Sequence, residues 1–370
     1  MWKLGVALLS LCACTAATEE IVYAPKAIDP PRRLEAADST HKWKISSLKA
    51  HQIPDASIKE MVSKLENGDF PGITSVLLVH KNELVLERYL EGTQRDDLQN
   101  MRSASKTITS ALVGIALDRG ELSSVNQQVL PMFPEYVEAA ARSDPRKGEI
   151  TLAHLMSMTS GVRGNEDAMY PTDDWVGFYF DQPLFADPGK RFSYATSGAV
   201  VLGSVVTRAS KLRIPDFANR YLFERLGIRS YRWPISNSLG SQGLAMTGGG
   251  LHLRPRDMAK FGQLFLNRGV WKGQRIVSEE WVERSTTKHA TSDLYGEDYG
   301  YFWRMLDRQS PRGDVKSFEA WGNGGQFIMV FPELDLVAVF TGTNYGKMPE
   351  MEQPFHLMER FVLPAFVRLR

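Results

Sequence analysis

Cysteine is almost absent from this 370-residue chain, because its only two cysteines, Cys12 and Cys14, lie among the first 14 residues. The rest of the chain therefore forms no disulfide and relies on its own hydrophobic core, which a chain of this length can build. Neither a His-Glu-x-x-His motif nor a cysteine cluster is present, so we expect no metal and no cofactor. The Gly-x-Ser-x-Gly motif of α/β-hydrolases is also missing.

An excess of charge is lacking as well. The formal net charge is +1, and no block of basic residues stands out. This composition gives no reason to expect binding to nucleic acid, which needs a basic surface. No internal repeat or low-complexity tract is found. Nucleic acid is therefore not an expected partner.

The N-terminal region is typical of a targeting segment. Lys3 precedes a short apolar run over 4–11, which is too short to span a bilayer, and small residues follow. Residues 1–17 are predicted to be an export signal, which implies the bacterial periplasm or cell envelope. Leu11-Cys12-Ala13-Cys14 also resembles a lipoprotein cleavage box, so a lipid on Cys14 is the one predicted link to the membrane.

The composition of the chain divides it into three predicted regions. Residues 1–17 are the signal, and the polar, proline-bearing residues 18–45 form a tether or an arm on the surface. Residues 46–370 form the functional domain, with a helical insertion over about 107–295. The length of this last region is as compatible with two domains as with one domain that carries a large insertion.

Apolar strand patterns occur at both ends of the functional domain. Residues 75–79 and 84–90 flank a polar turn and predict a hairpin, whereas 326–331 and 334–340 are almost wholly apolar. Residues 299–305 predict a neighbouring strand. The part in between is mostly helical, and its predicted helices cover 151–158, 199–209 and 256–266, with a closing helix over 358–368. A sheet must therefore be assembled from both ends of the chain.

A serine and a lysine stand three residues apart at the start of an apolar helical pattern. Ser103 and Lys106 share one helix face, and the pattern ends at Asp118-Arg119-Gly120. A serine hydroxyl needs an adjacent base, and a lysine serves as one when burial or the helix dipole destabilises its ammonium. The segments 46–49 and 285–288 match the Ser-x-x-Lys spacing equally well, but neither opens an apolar helix.

Two further segments carry candidate residues. A Pro188-Gly189 turn precedes Tyr194, and a tyrosine beside a lysine can move a proton between a serine and a leaving group. Residues 320–325 (AWGNGG) directly precede an apolar strand, where a strand-edge N–H can donate to an oxyanion. Taken singly, Tyr194 fits an ordinary half-buried tyrosine, and the glycines fit a flexible loop.

Together these segments resemble the serine β-lactamase and penicillin-binding protein superfamily. The likeness covers roughly 70–345 and is closest to class C β-lactamase-like hydrolases, in the branch of 6-aminohexanoate-dimer hydrolases and esterases. Residues 150–161 (ITLAHLMSMTSG), 248–251 (GGGL) and 255–262 (PRDMAKFG) support it. The resemblance implies an α+β (two-layer) fold, in which an antiparallel sheet built from both chain ends carries a large helical insertion.

The resemblance also implies residue roles. Ser103 would be the nucleophile, Lys106 its base and Tyr194 the proton relay, and the N–H groups of Ser103 and Asn323 would form the oxyanion hole. His154 and His252 lie in family-like segments and are interpreted as structural, with His252 nearer the pocket. The residues proposed to line the substrate pocket are Thr196, Tyr170, Asp174, Trp175, His252, Trp321 and Gly322.

Two departures from the family pattern affect the expected substrate. Thr196 stands where many relatives have asparagine, and Ala320-Trp321-Gly322 stands where many have Lys-Thr-Gly or His-Thr-Gly. Without that cation, we expect weak β-lactam turnover. The expected partner is a small-molecule ester or amide substrate with an uncharged or apolar acyl group, such as a short-chain ester or a small amide. Arg163 or Arg254 could supply the charge from another direction. The alternative function is a weakly active or non-catalytic binding protein of the cell envelope, similar to a penicillin-binding protein.

Overall fold

The computed structural model describes residues 32–33, 42–236 and 243–367. The predicted signal and Cys14 lie outside these residues. Two described parts of the predicted tether are short strands. Arg32–Arg33 pairs with Ser230–Arg232, and Lys44–Ile45 pairs with the first hairpin of the main sheet. Within the described part of the chain, no helix is long and apolar enough to cross a membrane.

A nine-stranded sheet is assembled from both ends of the chain. In chain order its strands are Lys44–Ile45 (β1), Ile73–His80 (β2), Glu83–Tyr89 (β3), Ala290–Thr291 (β4), Asp298–Tyr299 (β5), Arg304–Arg308 (β6), Val315–Gly322 (β7), Gln326–Phe331 (β8) and Leu336–Gly342 (β9). Their order across the sheet is β4-β5-β6-β7-β8-β9-β2-β3-β1. All neighbours are antiparallel except β1 and β3, which are parallel. The predicted sheet and its N-terminal hairpin are confirmed.

The central strands are apolar at successive positions because both faces of the sheet are covered. In β2, Leu77 and Val79 pack into the core that contains the helical insertion. Their neighbours Val76 and Leu78 pack on the opposite face, against the first and last helices of the described chain. Because successive side chains of a strand point to opposite faces, a strand buried on both sides has no polar alternation.

Helices fill the chain between β3 and β4 and also cover the outer face. They are Ala56–Glu66 (α1), Ser105–Asp118 (α2), Pro134–Ser143 (α3), Leu152–Met156 (α4), Glu166–Met169 (α5), Trp175–Asp181 (α6), Thr196–Ser210 (α7), Ile214–Ala218 (α8), Glu224–Leu226 (α9), Pro255–Leu266 (α10), Glu279–Ser285 (α11), Gln353–Leu357 (α12) and Leu363–Phe366 (α13). Every residue of α2 from Ser105 to Ala116 is buried. A helix that is enclosed on all sides is part of the core, so its start is held in place by the packing around it.

A second, small sheet lies beside the start of α2. It contains the short strands Arg32–Arg33, Ser230–Arg232, His252–Leu253 and Gln99–Asn100, in that order. Asn100 pairs with His252, and Gln99 pairs with Leu253. The small sheet therefore fixes the chain immediately before the predicted nucleophile.

The predicted strand over 299–305 is wrong in its extent. The chain instead forms β5, which ends at Tyr299, and β6, which begins at Arg304, with a reversal in between. At this reversal Phe302 has a φ of 67°, and a Cβ on Gly300 would lie 2.2 Å from the carbonyl oxygen of Ser285. The apolar side chains of the turn pack into the core, so its composition resembles that of a strand.

Candidate active site

Ser103 lies in a short 3-10 turn, Arg102–Ala104, that leads directly into α2. The Met101 N–H donates to the carbonyl of Leu251 at 2.9 Å, and the Arg102 N–H donates to Asn100 Oδ1 at 2.9 Å. Arg102 has a φ of 48°, which is uncommon for a residue with a side chain. These hydrogen bonds hold the sharp turn in place. The position of Ser103, just before the start of α2, is therefore fixed.

Lys106 is buried one turn further on and contacts Ser103 directly. Its Nζ lies 3.0 Å from Ser103 Oγ and 2.6 Å from the carbonyl oxygen of Gly248, and the residue is 1% exposed. The same Nζ lies 4.8 Å from the centre of the Tyr194 ring. No carboxylate pairs with Lys106 in the part of the chain that the structure describes. The structure therefore brings together the three residues for which the sequence predicts a catalytic role.

The carbonyl of Gly248 is a site group that sequence reasoning missed. The loop that carries it is fixed on two sides. Thr109 Oγ1 of α2 donates to the Thr247 carbonyl at 2.9 Å, and Thr247 Oγ1 donates to the Ala199 carbonyl of α7 at 2.7 Å. In the sequence, Gly248 is recognisable only as part of a family-like segment. No local pattern indicates that a backbone carbonyl 142 residues away holds Lys106.

Gly248→Ala is expected to lower kcat/KM about 10- to 100-fold, because displacement of a catalytic group by about 1 Å has costs of this order. A Cβ at this position would lie 2.5 Å from Thr196 Cγ2, so the loop must move and take the acceptor of Lys106 with it. The matched control is Gly148→Ala, since a Cβ there meets nothing within 4 Å. Thr196→Ser removes the clashing methyl group and should recover part of the loss in the double variant. Full activity of Gly248→Ala would contradict this role.

Tyr194 is positioned by the loop that enters α7. The Ser193 N–H donates to the Met158 carbonyl at 2.8 Å, and the Thr196 N–H donates to Glu166 Oε1 at 3.2 Å. Upstream, a Cβ on Gly189 would lie 2.9 Å from Nε2 of His154. His154 therefore supports the Pro188-Gly189 turn, and its Nδ1 accepts from the Thr151 N–H at 3.3 Å.

The third motif passes directly over the turn that holds Ser103. A Cβ on Gly322 would lie 2.2 Å from the carbonyl oxygen of Met101, so the end of β7 approaches this closely because residue 322 has no side chain. Asn323 follows, and its Oδ1 accepts from the Gly346 N–H at 2.8 Å. The side chain of Asn323 thus fixes the turn that carries its backbone N–H, which is the second predicted donor of the oxyanion hole.

A buried arginine near the third motif was not predicted. Arg304 on β6 lies with its Cζ 4.4 Å from the Trp321 ring centre and 5.9 Å from the Tyr194 ring centre. Burial lowers the pKa of Arg304, which forms an ion pair with Glu297. Trp321 is held in turn by a 2.6 Å hydrogen bond from Nε1 to Glu319 Oε2. Sequence reasoning could not find Arg304, because it comes from a neighbouring strand whose register the motif does not reveal.

Tyr170 and His252 lie close enough to the turn for the charge of Arg102 to act on both. Burial raises the pKa of Tyr170 to about 12, with Arg102 acting in the opposite direction. Burial, together with the charges of Arg232 and Arg102, lowers the pKa of His252 to about 4. His252 Nδ1 lies 3.0 Å from the Gly250 carbonyl, and Arg232 Nη2 donates to His252 Nε2 at 2.7 Å. His252 is therefore neutral at pH 7.

Other predicted pocket residues have evident structural contacts. Asp174 caps α6, where Oδ1 accepts from the Gly177 N–H at 2.9 Å and Oδ2 accepts from the Tyr136 hydroxyl at 2.7 Å. Trp175 is 2% exposed and belongs to the core. Thr196 is also buried, with its methyl group against Gly248. These contacts give each of the three residues a role in stabilising the fold. Their contacts with substrate stay predictions.

The two other Ser-x-x-Lys segments have different surroundings. Ser285 is fully buried near the end of α11, and its hydroxyl donates to the Val282 carbonyl at 3.2 Å. Ser46 lies beside β3, where its hydrogen bond helps to lower the pKa of Glu83. Neither opens an enclosed helix. Within the described part of the chain, no group of three or more acidic, histidine or cysteine side chains is arranged to hold a metal.

Comparison with known proteins gives the family of the chain. A family model described as Beta-lactamase matches residues 57–359. The chain is 25% identical over 291 residues to a 6-aminohexanoate-dimer hydrolase from Paenarthrobacter ureafaciens. The aligned region covers 71% of this chain and 70% of that protein.

Two solved structures share the fold. A class C β-lactamase from Rhodobacter sphaeroides superposes with a TM-score of 0.61 at 17% identity, over 82% of this chain and 97% of that one. A family VIII carboxylesterase superposes with a TM-score of 0.62 at 18% identity, over 81% of this chain and 95% of that one. The fold is therefore that of the β-lactamase and penicillin-binding protein class. The chain belongs to the β-lactamase family.

Proposed function

We propose that this chain is a serine hydrolase that cleaves an ester or amide bond through a covalent acyl-enzyme. The observation that carries the proposal is the contact between Lys106 and Ser103, with Nζ 3.0 Å from Oγ in a buried environment. A nucleophile within hydrogen-bond reach of its base is the geometry that covalent catalysis requires. The hydrolase named among the relatives supports the same reaction class.

Acylation begins with a neutral Lys106 amine. Its lone pair accepts the Ser103 hydroxyl proton while Oγ forms a bond to the substrate carbonyl carbon. The Gly248 carbonyl, 2.6 Å from Nζ, accepts an N–H of the amine and directs the lone pair towards Ser103. The Tyr194 hydroxyl then passes a proton to the leaving alcohol or amine as its bond to carbon breaks, and Lys106 replaces that proton.

The negative charge on the substrate oxygen needs donors that are already in place. The N–H groups of Ser103 and Asn323 are the proposed donors, because β7 passes over Met101 and ends beside the turn of Ser103. Deacylation reverses the roles, since water adds to the acyl carbon, loses its proton through Tyr194 and Lys106, and returns a proton to Ser103. No metal or cofactor takes part in this scheme.

Partitioning of a shared intermediate tests the proposal. Two esters with the same acyl group and different leaving groups, 4-nitrophenyl butyrate and phenyl butyrate, are hydrolysed in the presence of methanol. The ratio of the products methyl butyrate and butyrate is expected to be the same for both. The ratio is constant because both substrates pass through the same butyryl-enzyme. A ratio that depends on the leaving group would contradict the acyl-enzyme. If no substrate turned over, the chain would be a binding protein with this fold.

A further inference from the structure

Arg102 lies beside the nucleophile and among other residues of the candidate site. Its Cζ lies 4.4 Å from the centre of the Tyr345 ring. That ring packs on the turn after β7, where a Cβ on Gly324 would lie 2.5 Å from it. The Arg102 charge also acts on Tyr170 and His252. The guanidinium therefore lies against the ring that covers the turn after β7, within electrostatic reach of two predicted pocket residues.

Two other arginines near this site, Arg304 and Arg254, already have acidic partners. Arg304 pairs with Glu297, and Arg254 Nε donates to Asp257 at 2.7 Å. By contrast, Arg102 pairs with no carboxylate in the described part of the chain, and its buried Nε has no hydrogen-bond partner there. The residue as a whole is only partly buried. Because buried polar groups usually have partners, an unpartnered Nε on the residue next to the nucleophile points to a ligand.

We propose that Arg102 binds a carboxylate of the substrate and thereby selects acidic esters or amides. This inference rests on the proposed function, because the carboxylate is held while Ser103 attacks the neighbouring carbonyl. It changes the substrate expected from the third motif, where the lack of a cation at Ala320 indicated uncharged groups. The cation comes from the residue before the nucleophile instead.

The chemistry of the side chain favours a carboxylate. A guanidinium is planar and presents its N–H groups as a fork that matches two carboxylate oxygens. Stacking on Tyr345 covers one face of the plane, so its edge is the part that meets a ligand. The left-handed backbone of Arg102, with a φ of 48°, turns the side chain out of the helical path of α2.

Two matched substrate pairs test the proposal on the full-length protein. In the first pair the carboxylate is on the acyl side, in mono-4-nitrophenyl adipate and its methyl ester. In the second it is on the leaving group, in 4-(butyryloxy)benzoate and its methyl ester. The readout is selectivity, the ratio of kcat/KM for the acid to that for its methyl ester. The variants are Arg102→Gln, which removes the charge, and Arg102→Lys, which keeps it without the fork.

The expected result is a preference for the acid in at least one pair, which falls about 10- to 100-fold in Arg102→Gln. Arg102→Lys should retain an intermediate selectivity. The matched control is Arg220→Gln, because Arg220 also stacks on a tyrosine, with its Cζ 5.3 Å from the Tyr221 ring centre. Selectivity in this variant should equal that of the unmodified chain.

The outcomes separate this inference from the proposed function. If the methyl esters are hydrolysed but neither acid is preferred, or if Arg102→Gln leaves selectivity unchanged, Arg102 does not bind a carboxylate and the hydrolase assignment stands. If all four esters are inert and a fluorophosphonate does not label Ser103, the proposed function is wrong, and the inference that rests on it is wrong with it. Circular dichroism and the melting temperature of each variant show whether it is folded.

Discussion

Ser103→Ala is expected to lower kcat for ester hydrolysis by about four to six powers of ten, in line with the loss of a nucleophile in other serine enzymes. The physical reason is that, among the described residues, Ser103 carries the hydroxyl that contacts the predicted base. Ser103 lies in the turn directly before α2, with its Oγ 3.0 Å from the buried Nζ of Lys106. The measurement is steady-state turnover of 4-nitrophenyl butyrate at enzyme concentrations high enough to detect the residual rate.

The matched control for this variant is Ser110→Ala. Ser110 is a fully buried serine of α2, and its Oγ has no hydrogen-bond partner in the described part of the chain. Ser110→Ala should leave turnover within about threefold of that of the unmodified chain, because the packing around the side chain changes by a single oxygen atom. If Ser103→Ala retained more than about 1% of the activity while remaining folded, another residue would have to be the nucleophile.

Lys106→Ala and Tyr194→Phe are each expected to remove most of the activity, and the double variant should lose little more. Groups that act in one proton-transfer unit are strongly non-additive, because removal of either already disables the unit. The contact of Lys106 Nζ with the Tyr194 ring, 4.8 Å from its centre, makes such coupling possible. The measurement is a double-mutant cycle in kcat/KM, with losses of about two to four powers of ten for each single variant.

Tyr301→Phe serves as the control for the tyrosine replacement. Tyr301 is buried in the core and stacks on His289, with ring centres 4.0 Å apart. Its kcat/KM should stay close to that of the unmodified chain. Fully additive losses for Lys106→Ala and Tyr194→Phe would show that the two residues act independently, and the proton relay would then be wrong.

The sequence was sufficient for the sheet because its strands have a distinct composition. Residues 326–331 are apolar at nearly every position since Ile328 faces the insertion while Phe327 and Met329 face the outer helices. The strand predicted over 299–305 failed for the same physical reason, since the buried turn around Phe302 is as apolar as a strand. An apolar composition indicates that a segment is buried. It does not show where the chain reverses, because the reversal depends on tertiary contacts such as that of Gly300 with Ser285.

The candidate site could also be predicted only in part from the sequence. Ser103 and Lys106 could be predicted together because they share one helix turn, and Tyr194 followed from its resemblance to a family motif. Arg304 and the Gly248 carbonyl could not, because they reach the site from elements far away in the chain. Arg102 was visible in the sequence beside Ser103, but only the folded chain shows that its Nε has no hydrogen-bond partner among the described residues.

The most direct measurement of the central claim is to identify the atom that carries the acyl group. The full-length protein is mixed with excess 4-nitrophenyl butyrate, quenched in acid during turnover, digested and mapped by tandem mass spectrometry. The account predicts a butyryl ester on Ser103, absent from Ser103→Ala and from an unreacted sample. A butyryl group on Ser46 or Ser285 that forms and decays at the rate of turnover would contradict the account.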